Sequence, residues 1–76
     1  MVHVSQKIRA ENIENVKKLI ARTMPNGSRN KELLAVLGGK PYGFAPRTSR
    51  QYLEELLDRG EVVWDAEEEV WRLPEK

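Results

Sequence analysis

The chain has no cysteine and only one histidine, His3, and these two shortages remove most of the common side-chain chemistry at once. Without thiols there are no disulfide staples and no thiolate metal sites, so a hydrophobic core, alone or with an oligomer interface, has to supply the stability. The absence leaves the redox compartment open, because a cysteine-free chain folds equally well in either. No apolar run approaches the ~18 residues that a membrane span needs, and Met1-Val2-His3-Val4-Ser5 lacks the apolar stretch of a signal peptide, so a soluble, cytoplasmic protein is expected. Catalysis has little to build on. There is no Cys/His/Asp ligand cluster, and Gly38-Gly39-Lys40 lacks the spacing of a phosphate-binding loop. Neither an enzyme, a cofactor nor a metal site is expected.

What the chain does have is charge, on a third of its 76 residues. The net value of +1 hides a segregation. Met1 to Arg59 carries eleven Lys/Arg against six Asp/Glu, a net of +5, whereas Gly60 to Lys76 carries two against six, a net of −4. A basic body with an acidic C-terminal segment is a reasonable footprint of a polyanion-binding face, although ordinary surface charge gives the same count. The length sets one small domain, in which about 60% of the surface of the unfolded chain is buried on folding.

From Ala10 to Thr23, the residues Ala10, Ile13, Val16, Leu19 and Ile20 recur at spacings of three and four, the stripe of an amphipathic helix with Lys17, Lys18 and Arg22 near its C-terminal end. Residues 1–9 are left as extra helical turns, as a mobile arm, or as a strand using the Val2/Val4 alternation, with Ser5 as a candidate N-cap. Met24-Pro25-Asn26-Gly27 ends the first helix, and Ser28 offers an N-cap for a second one, which buries Leu33, Leu34 and Leu37 and stops at Gly38-Gly39. Gly38 to Ala45 holds three glycines and a proline and reads as a connection, with Phe44 plugging the core at its end. A third helix starts at Pro46, whose missing N–H has no intrahelical partner there, or at the capping box Thr48-Ser49-Arg50-Gln51. It faces Ser49, Tyr52, Leu53, Leu56 and Leu57 inward and ends at Gly60. Val62 to Trp64 and Val70 to Leu73 then read as a hairpin across the acidic loop Asp65-Ala66-Glu67-Glu68-Glu69, with Pro74 closing the second strand.

Helix, helix, helix, hairpin in this order resembles the winged helix-turn-helix superfamily, over roughly Ala10 to Pro74. The most specific stretch runs from Thr48 to Val63, TSRQYLEELLDRGEVV, which is similar to that superfamily's recognition helix in its polar start, paired leucines, basic residue, glycine and β-branched strand; Val70-Trp71-Arg72-Leu73 is similar to the returning wing strand. The resemblance implies an α+β fold, a winged helix of three helices followed by a two-stranded β-hairpin, with residues 1–9 an arm or helix extension and 10–76 the domain. It implies a small DNA-binding protein, a transcriptional regulator, that inserts helix 46–59 into the major groove of double-stranded DNA. Some members of the superfamily bind only proteins, so an interaction module without DNA binding is the alternative.

On the third helix Arg47, Arg50, Gln51 and Glu54 follow i, i+3, i+4, i+7 and lie opposite the leucine face. Arginine pairs with guanine O6/N7 and glutamine with adenine N6/N7. A solvated face is the other reading, and Glu54 fits both. Thr48 joins the DNA-binding candidates at the start of the helix. Arg29, Lys31 and Lys40 flank this helix in the implied fold and would contact phosphates, fixing position without reading sequence. Tyr42 stacks on sugar, bonds a phosphate, or packs on its neighbours. The four loop carboxylates Asp65, Glu67, Glu68 and Glu69 are repelled by phosphate, so the wing is held off DNA, contacts a protein partner, or guards the hairpin edge. Trp64 and Trp71 are expected to be core and cross-strand packing. A two-fold homodimer through the first helix and the N-terminal segment would read two half-sites about one turn apart.

Overall fold

The computed structural model describes the backbone of residues 4–74 and the side chains of residues 7–74; His3 and the Val2 half of the Val2/Val4 alternation lie outside that range. Three helices, α1 (Val4–Arg22), α2 (Asn30–Gly38) and α3 (Pro46–Asp58), are joined by three strands, β1 (Ser28–Arg29), β2 (Val63–Asp65) and β3 (Val70–Arg72). The fold is α+β, with three helices followed by an antiparallel hairpin, a winged-helix-like layout. Among the described residues no helix is long and apolar enough to cross a membrane.

The α1 stripe is buried at Ile13, Val16 and Ile20. Helical backbone extends back to Val4, so Ser5 sits inside the helix rather than capping it, and Ala10, at the outer end of the stripe, is exposed. The α1 face meets Leu33 and Leu37 of α2, Tyr52, Leu53 and Leu56 of α3, then Val62 and Trp71, in one core. Phe44 closes that core as expected. Its N–H donates to the Leu37 carbonyl at 2.8 Å and its ring stands edge-on to Tyr52 at 5.4 Å. Polar contacts fasten α1 to α3 at the surface: Arg9 reaches the Glu55 carboxylate at 3.1 Å and lies over the Tyr52 ring, whose hydroxyl accepts from Asn12.

Helix α3 begins at Pro46, the first of the two starts legible in the sequence. It ends in paired backbone bonds, Gly60 N–H to Leu57 O at 3.0 Å and Glu61 N–H to Leu56 O at 2.9 Å. This six-to-one and five-to-two closure requires a left-handed residue, and Gly60 provides it at φ 74°. Leu57 departs from expectation, being 41% exposed. At 100° per residue it falls about a quarter turn from the centre of the Ser49, Tyr52, Leu53, Leu56 stripe, on the flank it shares with Arg50 at i, i+7.

Two further expectations are corrected around Ser28. Instead of capping α2, Ser28 is buried in β1 opposite Trp71, with its hydroxyl 2.8 Å from that of Thr23. The residue at the cap position is Arg29, which makes no side-chain capping bond. The orphan N–H of Asn30 is satisfied from the hairpin instead, by the Glu69 carbonyl at 3.0 Å, so the capping function has passed to tertiary structure. The expected two-stranded hairpin is accordingly part of a three-stranded antiparallel sheet in the order β1-β3-β2. A two-residue strand is too short to show any alternation in sequence, which is why it escapes a reading by period.

Candidate nucleic-acid interface

The charges of α3 run against its dipole. Arg47 and Arg50 occupy its first turns with no carboxylate among them, whereas Glu54, Glu55 and Asp58 gather toward the C-terminal end, where cations are favoured. Arg47, Arg50, Gln51 and Glu54 are all exposed, as their spacing requires, and Thr48 is half-buried. Among the described residues Arg47 and Arg50 form no ion pair; the cations that do are Arg9, Lys17, Arg59 and Arg72.

The outer face divides between two clefts. Arg50 and Glu54 look toward the hairpin and, with Asn30, Leu57, Trp64 and Trp71, line a cleft of about 240 Å³. Gln51 turns to the other flank, where it shares a shallow depression with Arg9, Glu54, Glu55 and Asp58. Gln51 and Arg50 are thus on the same helix but in different company, the glutamine among carboxylates and the arginine beside the tryptophans.

Arg29 and Lys31 flank the opposite wall of the hairpin and, with Asn30, Glu32, Glu68 and Glu69, line a cleft of about 380 Å³. The flanking phosphate contacts implied by the resemblance are therefore mixed with wing carboxylates. The cause is the same backbone contact that caps α2, since Glu69 bonds Asn30 and Val70 pairs with Arg29. Asn30 lines both clefts, so Arg29 and Lys31 lie on one side of it and Arg50 on the other. Lys40 is exposed in the α2–α3 connection, and Tyr42 is half-buried there with its ring 5.8 Å from Phe44 and packed on the core, which favours the neighbour-packing alternative for it.

Asn30 and Arg72 carry more of this region than their sequence positions suggest. Asn30 Oδ1 accepts the Trp71 indole N–H at 3.0 Å. Arg72 bonds Asp65 at 2.5 Å and Glu68 at 2.6 Å, neutralising part of the wing. The four-residue spacing of Glu68 and Arg72 was visible, but helical spacing has no meaning across a hairpin until its register is known. Asp65 Oδ1 accepts the N–H groups of Glu67 and Glu68, which folds the loop back on itself. Glu69, at φ 55°, completes the turn in the left-handed region without being glycine. Among the described residues no group of three or more His, Cys, Asp or Glu is placed to hold a metal ion.

The Arg72 guanidinium, followed by the Glu68 N–H, holds the Asp65 carboxyl below its ordinary 3.8. The hydrogen bond from Lys17 likewise holds Glu61 below 4.5, and Glu61 in turn raises Lys17 above 10.5. Carboxyls depressed by folding stabilise the folded chain fully above their unfolded values and lose that contribution as pH falls through the lower folded ones. Hairpin order should therefore hold above about pH 5 and loosen progressively below pH 4. Lys17 gives the mirror image, losing its contribution only as pH rises above 10.5. Asp65→Asn keeps an acceptor for the loop N–H groups but removes the charge, so acid titration of tryptophan fluorescence should show a shallower acid limb in that variant. An unchanged acid limb would mean that the Asp65–Arg72 pair does not govern it.

Compared with protein-family models, with curated proteins and with solved structures, the chain gives no match.

Proposed function

We propose that this chain is a small winged-helix DNA-binding protein that presents the N-terminal turns of α3 to the major groove of duplex DNA, acting in the cytoplasm as a transcriptional regulator. The observation that carries this reading is the pair Arg47 and Arg50, exposed, without ion pairs among the described residues, and set at the positive end of the helix dipole. Two cations there cost a few tenths of a kcal/mol each with no ion pair among the described residues to offset them, and an anionic partner removes that cost. Helix-turn-helix recognition helices read bases with their N-terminal residues, the part of α3 that is basic. Arg29, Lys31 and Lys40 supply phosphate contacts, and the Arg72 ion pairs lower the repulsion that the acidic loop would otherwise exert.

The test is binding to duplex DNA over a range of salt. Log K against log[salt] should fall with a slope near −0.9 for each phosphate neutralised. Arg50→Ala should lower affinity for a selected site by roughly 1 to 3 kcal/mol and flatten discrimination at one base pair, whereas Lys40→Ala should weaken all sequences alike and reduce the slope by about one. Absence of any binding at ~50 mM salt with micromolar protein would remove the DNA reading. A protein-interaction module is the second reading, favoured by the exposed carboxylates Glu67 and Glu69 at the tip of the wing.

A further inference from the structure

We propose that the cleft between α3 and the hairpin binds one unpaired nucleobase, stacked on Trp64 and selected for an exocyclic amine by Glu54. The inference rests on the reading that α3 faces nucleic acid, and adds to it a site for a base that has left the duplex.

Trp64 lies directly across from Trp71 in the β2–β3 register, with the two rings 4.7 Å apart. Trp71 is buried and its indole N–H is held by Asn30, so Trp64 has a fixed ring behind it. Trp64 itself remains 37% exposed, and Leu57, which lines the same cleft, 41% exposed. This is a supported aromatic platform open on one side. The cleft volume of about 240 Å³ falls below the roughly 300–1,000 Å³ of sites for drug-sized molecules, which suits a single flat ring.

Apart from the bond between the Trp71 indole and the Asn30 oxygen, the polar side chains around this platform have no ion pair or side-chain hydrogen bond among the described residues, and they are of complementary kinds. An indole N–H only donates, so the Asn30 oxygen must face Trp71 and its NH₂ group is left to donate elsewhere. Glu54 and Arg50 form no ion pair among the described residues. One amide donor, one carboxylate and one guanidinium thus border one apolar floor. Cytosine offers an N4 amine to a carboxylate and ring acceptors to donors. Thymine places O4 where that amine would be, setting two acceptors against each other. The base must be unpaired, because inside a duplex both of its faces are covered by neighbouring base pairs.

The experiment measures binding of the full chain to three labelled DNAs by fluorescence anisotropy: a blunt duplex, the same duplex with a short cytosine overhang, and the same with a thymine overhang. The cytosine overhang should bind roughly 5- to 150-fold tighter than the blunt duplex, the range that one base–aromatic stack supplies, and the thymine overhang should gain less. Trp64→Leu should abolish the overhang advantage while blunt binding stays unchanged, and Trp64→Phe should keep most of it. Glu54→Gln should narrow the gap between cytosine and thymine, since an amide both donates and accepts. Blunt binding with no gain from either overhang would overturn this inference alone, as would an advantage that survives Trp64→Leu. Binding of overhangs without blunt binding would leave the cleft standing and overturn the duplex reading, and no binding to any of the three would overturn both. Sedimentation decides the remaining occupant: a wild-type dimer that Trp64→Leu converts to monomer would assign the cleft to a second copy of the chain and overturn the inference.

Discussion

Gly27→Ala should destabilise the fold by about 2 to 5 kcal/mol, combining the overpacking cost of a well-filled site with the penalty for a left-handed alanine. Gly27 has φ +87°, and a Cβ built on it would lie 2.5 Å from Val70 Cγ1, 2.6 Å from Arg72 Cγ and 2.6 Å from the Trp71 carbonyl oxygen. Two of those atoms belong to side chains that can shift. The carbonyl belongs to the central strand of the sheet and is held there on both sides. Relief therefore requires the α1–β1 turn to lift off β3, which breaks the β1 pairing and removes the neighbours of Ser28. Total stability for 76 residues is of the order of 4 to 11 kcal/mol, so the substitution consumes a large part of it. Gly60→Ala is the control, because Gly60 has a similar φ of +74° with nothing within 4 Å of an added Cβ. It should cost only the conformational part, about 1 to 2 kcal/mol. Equal urea midpoints for the two variants would mean that the close approach at Gly27 is not a feature of the folded chain.

Trp71→Ala should cost about 3 to 5 kcal/mol, and Trp64→Ala distinctly less. From sequence the two tryptophans are equivalent, both in short β-branched runs of one hairpin and both expected in the core. The structure separates them: Trp71 is 9% exposed on the central strand and Trp64 is 37% exposed on an edge strand. Removing Trp71 opens a cavity between the sheet and the helices and leaves the half-buried Asn30 oxygen without its donor. Removing Trp64 loses part of one ring's burial and an aromatic pair worth about 0.5 to 1.5 kcal/mol. Thermal melts of both variants give the answer directly. A Trp71→Ala melt at the wild-type temperature, or a larger loss from Trp64, would contradict the arrangement of the sheet.

These two substitutions mark the boundary between local and tertiary information. Gly27 is legible in the sequence as a residue that stops a helix, which is a local property of glycine beside Pro25 and Asn26. That its missing side chain makes room for the backbone of a strand more than forty residues later is not. Similarly, Arg50 is legible as an outward position from its distance to the leucines, but its place beside tryptophans, and Gln51's among carboxylates, needed the positions of α1 and the hairpin. Leu57 departs from the inward position its spacing implies for the same reason, since the stripe of one helix does not say how far its neighbours wrap around it.

By itself the sequence determined the three helices, the hairpin and most of the stops between them, because Pro46, Gly38-Gly39 and Gly60 act on the backbone within a turn of where they stand, and because helical spacing sorts buried from exposed residues without reference to any partner. It also determined the opposition of a basic body to an acidic hairpin, which is only a matter of counting. The third strand, the capping of α2 by Glu69, the asymmetry of the two tryptophans and the cleft that joins Asn30 to Arg50 were decided by the tertiary structure alone. Each depends on contacts such as Trp71 to Asn30, 41 residues apart, and a contact of that separation leaves no period, spacing or punctuation in the chain because neither partner constrains the residues adjacent to the other.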